Sequence, residues 1–416
     1  MDRVILPADR KILRDLALQI ATAASDRVMD TRRQHWIAHN GLKSTRPMML
    51  IFPEGAFHEL LPTSTLDCTS EFTRQVEWNL RARLYTYQHF QDDTVLEAEW
   101  IEAAVTGSTG WGVEIQRHPS SEVRGAWAFQ PVIRDSTDLR KLHFPELIYD
   151  EAKSNANVTQ MQELFGDILR VQVAGIKHIS FHLMSDLTGW CGLQEMMEAL
   201  IERPAFIHEV MNFLVEGHQH WFQQLLDASL LNLNNDNTYN SSGGNGYTDK
   251  LPAPSFKVAH VRPCDLWASA ESQELAQVSP RMHRDFALFY EKCLLEPFGL
   301  TGYGCCEDLT RKLDDVFAIP HIRRISIAPS ANVDLCAAKL KANYIFSWKP
   351  QPAHMVGDFD LEAIRHYIRH TLAVARANKC VLEMILKDTH TVEFHLERFD
   401  LWTQVAREEI RALGWD

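Results

Sequence analysis

The stretch IRRISIAPSANVDLCAAKLKANYIFSWKP, residues 322–350, decides the reading of the fold. Two short apolar runs, IRRISIA and NYIFSWKP, flank VDLCAAKLKA, which has the composition and length of a helix. A strand, a helix and a second strand in so short a span form a βα unit, and such units pair their strands in parallel. The same alternation recurs on both sides. Upstream lie MMLIF after Pro47, HISFHLM, DLWASAES and LTGYGCC, with helical SPRMHRDFALFYEKCLLEPFG before the last of these. Downstream, the amphipathic DLEAIRHYIRHTLAVARA leads into KCVLEMIL and then into the helix FDLWTQVAREEIRAL. Apolar runs with few polar interruptions are what strands covered on both faces look like. So many units in one core predict a (β/α)8 TIM barrel, with a doubly wound sheet as the alternative.

Residues 9 to 38 place Ile12, Leu13, Leu16, Ile20, Ala23 and Ala24 at helical spacing, so residues 1–44 are expected to form an N-terminal helical extension. Residues 45–416 are then the barrel, carrying an irregular insertion at about 75–150. The chain has 416 residues, 45% of them hydrophobic, enough for a large core. A formal charge of −13 without a basic run argues against nucleic acid as a partner. No stretch offers the roughly 20 apolar residues of a membrane span, and charges break up the first segment, so the expected location is cytoplasmic. Eight cysteines without disulfide-scaffold spacing are expected to be free thiols there.

In a barrel, chemistry gathers where strands end and βα loops begin. Those positions supply Glu54 and His58, Asp186, Asn235 and Asp236, Glu271, the stretch Cys305, Cys306 and Glu307, Lys349, and Glu383 with Asp388. Adjacent thiols between a glycine turn and two acids suit a metal ligand or a reactive thiolate, although free cysteines are also common core fillers. Asp186 shares strand parity with His178 and His182 if HISFHLM runs on as a strand. Glu383 sits inside VLEMIL, where a carboxylate is costly unless paired or metal-bound. The loop NTYNSSGGNGYTDK, residues 237–250, lacks the ending of a phosphate loop and is expected to be a mobile lid or pocket rim.

Taken in order, DLTGWCGLQEMMEALIERPAFIHEVMNFL, DLWASAESQELAQVSPRMHRDFALFYEKCL, GYGCCEDLTRKLDDV and IRRISIAPSANVDLCAAKL resemble successive segments of the uroporphyrinogen decarboxylase-like superfamily, over roughly residues 45 to 410. That family is a (β/α)8 barrel and includes zinc-dependent, corrinoid-linked methyltransferases. True decarboxylases carry an arginine-rich stretch after the first strand, whereas this chain has IFPEGAFHEL and no Arg or Lys between Arg46 and Arg74. The methyltransferase branch has H-x-C-G-N after its sixth strand. Here Cys306 matches the metal-binding cysteine, but Gly304 stands where the histidine would be.

The resemblance therefore implies methyl transfer from a small methylated substrate to a corrinoid or thiol acceptor. Zn²⁺ would be held by Cys306 and Cys305 with Glu383, and the corrinoid would reside on a separate carrier protein. Glu271 and Glu383 would act as catalytic acids or bases. Glu54, His58, Asp186, Asn235, Tyr247 and Trp267 would contact substrate, and a homodimer is compatible with this reading. A non-catalytic ligand-binding barrel, or a decarboxylase or lyase for a small acid, stays open beside it.

Overall fold

The computed structural model describes residues 3–43, 45–118, 128–257 and 260–415. Its centre is a seven-stranded, wholly parallel sheet. In chain order the strands are β1 (Met48–Ile51), β2 (Ser180–Phe181), β3 (Trp267–Ala270), β4 (Leu300–Tyr303), β5 (Ile322–Ile327), β6 (Ile345–Trp348) and β7 (Val381–Leu386). They lie side by side as β1-β7-β6-β5-β4-β3-β2, so chain order is kept from β2 to β7 and the first strand pairs with the last. Helices fill the connections, including Val333–Leu340 between β5 and β6 and Leu361–Ala377 between β6 and β7.

Strand alternation sends neighbouring residues to opposite faces. Met49, Ile51, Phe346, Trp348, Leu382, Met384 and Leu386 join the large cluster beneath the connecting helices. Met48, Leu50 and Ile385 face the other way and join Leu13, Trp36 and Tyr247. Leu13 and Trp36 come from two N-terminal helices, α1 (Pro7–Ala24) and α2 (Arg27–Asn40), which are present as expected and cover this second face. Asp26 caps α2 by accepting from the Val28 amide, and its position immediately after α1 sets where the chain turns.

Both outer edges of the sheet are met by inserted chain. The amides of Met49 and Ile51 on β1 donate to the carboxylates of Asp93 (2.9 Å) and Asp92 (3.0 Å), and the Asp93 amide returns a bond to the Met49 carbonyl (2.8 Å). Burial raises the cost of charge on Asp93, but Arg46 and Arg407 outweigh it and hold the acid down at about 2. Beside β2, the Asn234 amide group donates to the carbonyls of Lys177 and Trp267, and its oxygen accepts from the Trp267 amide. An edge strand's backbone groups are otherwise open to unwanted pairing.

The region from 75 to 150 is a helix, Glu71–Tyr85, followed by short ladders. Glu99–Ala103 pairs in parallel with Arg170–Ala174, and two further antiparallel pairs complete it. VTQMQELFGDILRVQVAG is helical to Phe165 and ends in the strand Arg170–Ala174. One expectation for a later segment is corrected. HISFHLM forms a strand for two residues before the helix Leu183–Cys191 begins, so Asp186 lies on that helix. Among the described residues no helix is long and apolar enough to cross a membrane.

Candidate functional site

Because the sheet is parallel, every strand delivers its next residue to the same side. β2 is followed by His182, β3 by Glu271, β4 by Gly304, Cys305 and Cys306, β6 by Lys349, and β7 by Lys387 and Asp388. The turn after β4 is firmly built. Gly304 has φ +89°, and a Cβ there would stand 2.7 Å from Leu309 Cδ1. A histidine fits neither the backbone nor the space, so the departure from H-x-C-G-N belongs to the shape of the loop. The fully buried carboxylate of Glu307 accepts from the amides of Cys305 (2.8 Å) and Ser272 (3.2 Å), and the Ser326 hydroxyl donates to the Cys305 carbonyl (2.9 Å). Glu307 thereby ties the thiol loop to the residue following Glu271.

The two sulfurs stand 3.5 Å apart, with Cys306 exposed and Cys305 half-buried. One shared hydrogen bond splits their acidities. The Cys305 S–H lowers the pKa of Cys306, with Lys387 adding to the effect, and the same bond raises that of Cys305. Cys306 is therefore the more acidic thiol of the pair. Its sulfur lies 3.9 Å from Asp388 Oδ2, and Lys387 Nζ bonds both oxygens of Asp388 at 2.8 and 3.0 Å. On the other side, Glu271 accepts from His182 Nδ1 at 2.9 Å. That bond raises the histidine's pKa. Burial works to raise the acid's own value, and His182 and Cys305 more than reverse it. A line of proton-exchanging groups runs from His182 through Glu271, Cys305 and Cys306 to Asp388 and Lys387.

Beside this line lies a cavity of about 690 Å³. Its walls include Phe52 and Glu54 after β1, Trp100 and Leu96, and His178 and Thr238. The cysteines do not line it. Between them stands Tyr239, whose ring meets Phe52 at 5.3 Å and His178 at 5.6 Å and which feels the charges of Lys387, Cys305 and Glu54. Glu54 and Asp388, in the turns that follow the adjacent strands β1 and β7, both hold left-handed backbone, φ +49° and +60°. Strain of that kind in non-glycine residues concentrates where side chains must be aimed.

The remaining expected site residues lie elsewhere. Glu383 is fully buried in the middle of β7, and its oxygens are taken by Arg324 Nε (2.8 Å), His39 Nε2 (3.0 Å) and the Ser347 hydroxyl (2.5 Å). It meets neither cysteine, so its cost of burial is offset by an ion pair and not by a metal. Trp267 lies beneath Arg324 at 5.2 Å, and Tyr247 donates to Glu97, both out of reach of the thiols. Asp186 pairs with His218, Asn235 holds the Leu251 carbonyl, and His58 is exposed beside Trp78 in a separate groove. Of the expected set, Glu271, Cys305 and Cys306 come together, with Glu54 at the cavity beyond Tyr239.

The glycine loop is not a lid. Ser242 through Thr248 are buried, a Cβ on Gly244 would fall 2.2 Å from Arg324 Cζ, and one on Gly243 would fall 2.4 Å from Ile385 Cγ2. The segment is a plug packed against the inner face of the sheet, and only Asn237 and Thr238 reach the cavity. Sequence reasoning passed over Tyr239, which nothing local marks. Glu307 was visible as the acid directly after the two cysteines, and it proves to brace their loop through the Cys305 and Ser272 amides.

Among the described residues no three of His, Cys, Asp and Glu are already placed around a metal position. The thiol pair itself suits one: two thiolates on a tetrahedral zinc with Zn–S of about 2.3 Å stand about 3.8 Å apart, close to the 3.5 Å found. A third donor would be Asp388, turned from Lys387, or Glu271. No protein-family model matches this sequence, and no curated protein matches it.

Proposed function

We propose that this chain is a (β/α)8 barrel related to the uroporphyrinogen decarboxylase-like superfamily, and that it transfers a methyl group from a small methylated donor to a corrinoid or thiol acceptor. Strand order supports the barrel, since sequential neighbours with the first strand beside the last is the order of a closed ring. At the open edge of β1, the segment at 92–96 is bonded to Met49 on one side and reached by Asn237 Nδ2 at the Val95 carbonyl on the other (2.9 Å).

The observation that carries the activity is the adjacent Cys305 and Cys306 thiols at the strand ends, Cys306 the more acidic, beside a histidine that a glutamate favours in its protonated form. Breaking a methyl–heteroatom bond leaves an electron pair on the heteroatom; an ammonium donor departs as a neutral amine, but an oxygen or sulfur leaving group needs a proton. His182, oriented by Glu271, supplies it, and Glu271 stabilises the imidazolium beforehand. Cys306 and Cys305 provide the soft donors for zinc, and a bound zinc would act as a Lewis acid on the donor's heteroatom. Lys387 holds Asp388 next to Cys306 and keeps the thiolate charge compensated. The carboxylate-rich uroporphyrinogen is a poor substrate for a mouth that presents Glu54 where decarboxylases present arginines.

The test mixes the protein with a reduced corrinoid carrier and a panel of methylated compounds, following the cobalt spectrum. Methyl-cobalt should form with one donor class and be lost in Cys306→Ser and Glu271→Gln. Zinc should approach one per chain and fall in Cys306→Ser. Silence with every donor and carrier, together with tight binding of a small ligand, would replace this reading with a ligand-binding barrel.

A further inference from the structure

We infer that the cavity beside β1 takes a methylated ammonium cation carried on an apolar body; this names the donor class and rests on the methyl-transfer reading above. The argument begins with what the cavity can and cannot neutralise. Its walls carry four carboxylates, Glu54, Glu97, Glu99 and Asp236, and two cations, Arg83 and Lys177. Both cations are already engaged. Arg83 donates to the carbonyls of Glu99 (2.9 Å) and Glu97 (2.6 Å), and Lys177 is paired with Asp236. An anionic ligand would have to displace one of these contacts.

The acids are not all engaged. Glu97 is held by Arg33 and by Tyr247, and Glu99 by Arg170. The Glu54 carboxylate has no hydrogen bond or ion pair among the described residues, and its left-handed backbone fixes it at the cavity edge. The rest of the lining mixes neutral polar groups, such as Asn79 and Thr94, with apolar and aromatic ones. Phe52, Phe57 and Trp100 offer ring surface, and Leu96 and Val95 close the floor. A free carboxylate beside aromatic faces is the combination that stabilises a quaternary or tertiary ammonium, whose charge lies under methyl groups and is weakly hydrated. The chain's formal charge of −13 favours the approach of such a cation. The volume of about 690 Å³ admits an aromatic or alkyl body behind the cationic head. With the head toward Glu54, its methyl groups lie on the side of Phe52 and Tyr239, and Tyr239 feels the charges of both Glu54 and Cys305.

The experiment uses three probes of one shape on the full-length chain, read by titration calorimetry without any methyl transfer: phenyltrimethylammonium, its neutral isostere tert-butylbenzene, and benzoate. The cation should bind at least about tenfold more tightly than the neutral isostere, its affinity should fall with added salt, and benzoate should be the weakest of the three. Glu54→Gln should remove most of the preference for cation over isostere, and Trp100→Leu should weaken the cation about tenfold. Equal binding of cation and isostere, preferential binding of benzoate, or no binding of any probe overturns the inference, whatever the methyl-transfer assay gives. Cation selectivity without methyl transfer would sustain it and send the activity reading back for revision.

Discussion

Replacing Glu383 by glutamine separates the two roles this residue could have. The amide keeps the shape and can still accept from Arg324 Nε, so what is lost is charge. Arg324 is fully buried and then has no anionic partner, while Lys349, already pushed down to about 7 by burial, loses the nearest group that favours its ammonium form. Removing one member of a buried pair costs about 3–5 kcal/mol because the other charge is left uncompensated. For 416 residues, at about 2.1 cal/mol/K per residue, the unfolding entropy is about 0.9 kcal/mol/K, so the melting temperature should fall by about 3–6 °C. The sign with pH follows from the direction of the shift. Arg324 and His39 hold Glu383 well below its unfolded value against the opposing effect of burial, so its contribution is full above the ordinary carboxylate range and fades in acid. The melting gap between wild type and Glu383→Gln should therefore shrink as the pH is lowered. Circular-dichroism melts and metal analysis on the same samples decide the matter. An unchanged melt accompanied by loss of zinc would show that Glu383 is a ligand and refute the ion-pair account; a lowered melt with zinc retained supports it.

Two further outcomes are expected. On protein stripped of metal with a chelator, a limiting amount of iodoacetamide followed by peptide mapping should find Cys306 modified first, with a rate that levels off at a lower pH than an ordinary thiol's. Cys305→Ser and Lys387→Met should each move that profile upward, while Cys68, Cys191, Cys336 and Cys380, buried and raised to about 11 or 12, should stay unmodified in the folded protein. Gly244→Ala should destabilise by several kcal/mol or abolish soluble expression, because its Cβ meets the fixed Arg324 guanidinium; Gly357→Ala, with φ +61° and nothing within 4 Å, should cost only about 1 kcal/mol of backbone strain.

The sheet was legible because its strands are continuous apolar runs: MMLI, IFSW and VLEMIL emerged where they were read. Even the polar intruders in those runs were visible. The partner of Glu383 was not, because Arg324 lies 59 residues away and meets it only through the register that sets β5 against β6 and Ser347 against Glu383. Register follows from packing of the whole sheet, which no local pattern records. The glycine loop misled for a related reason. Its composition is that of an exposed turn, yet the absence of side chains is what lets its backbone lie against Ile385 and Arg324. In the site, Glu271 and the thiols were found because they follow clear strands directly. His182 follows a strand of two residues, and its pairing with Glu271 came from the adjacency of β2 and β3, which the sequence leaves open.

The bond from His39 to Glu383 joins positions 344 residues apart, and β1 pairs with the strand that carries Glu383. A ribosome adding about 5–20 residues per second takes about 17–70 s to cover that interval. Throughout it the inner sides of α2 and β1 and the plug have no β7 to settle against, and an unpaired apolar strand is the species most prone to aggregate. The nascent chain is thus a long-waiting client for chaperones, and its yield should depend on the rate of synthesis and on the temperature at which the chain is made more than on the stability of the finished fold.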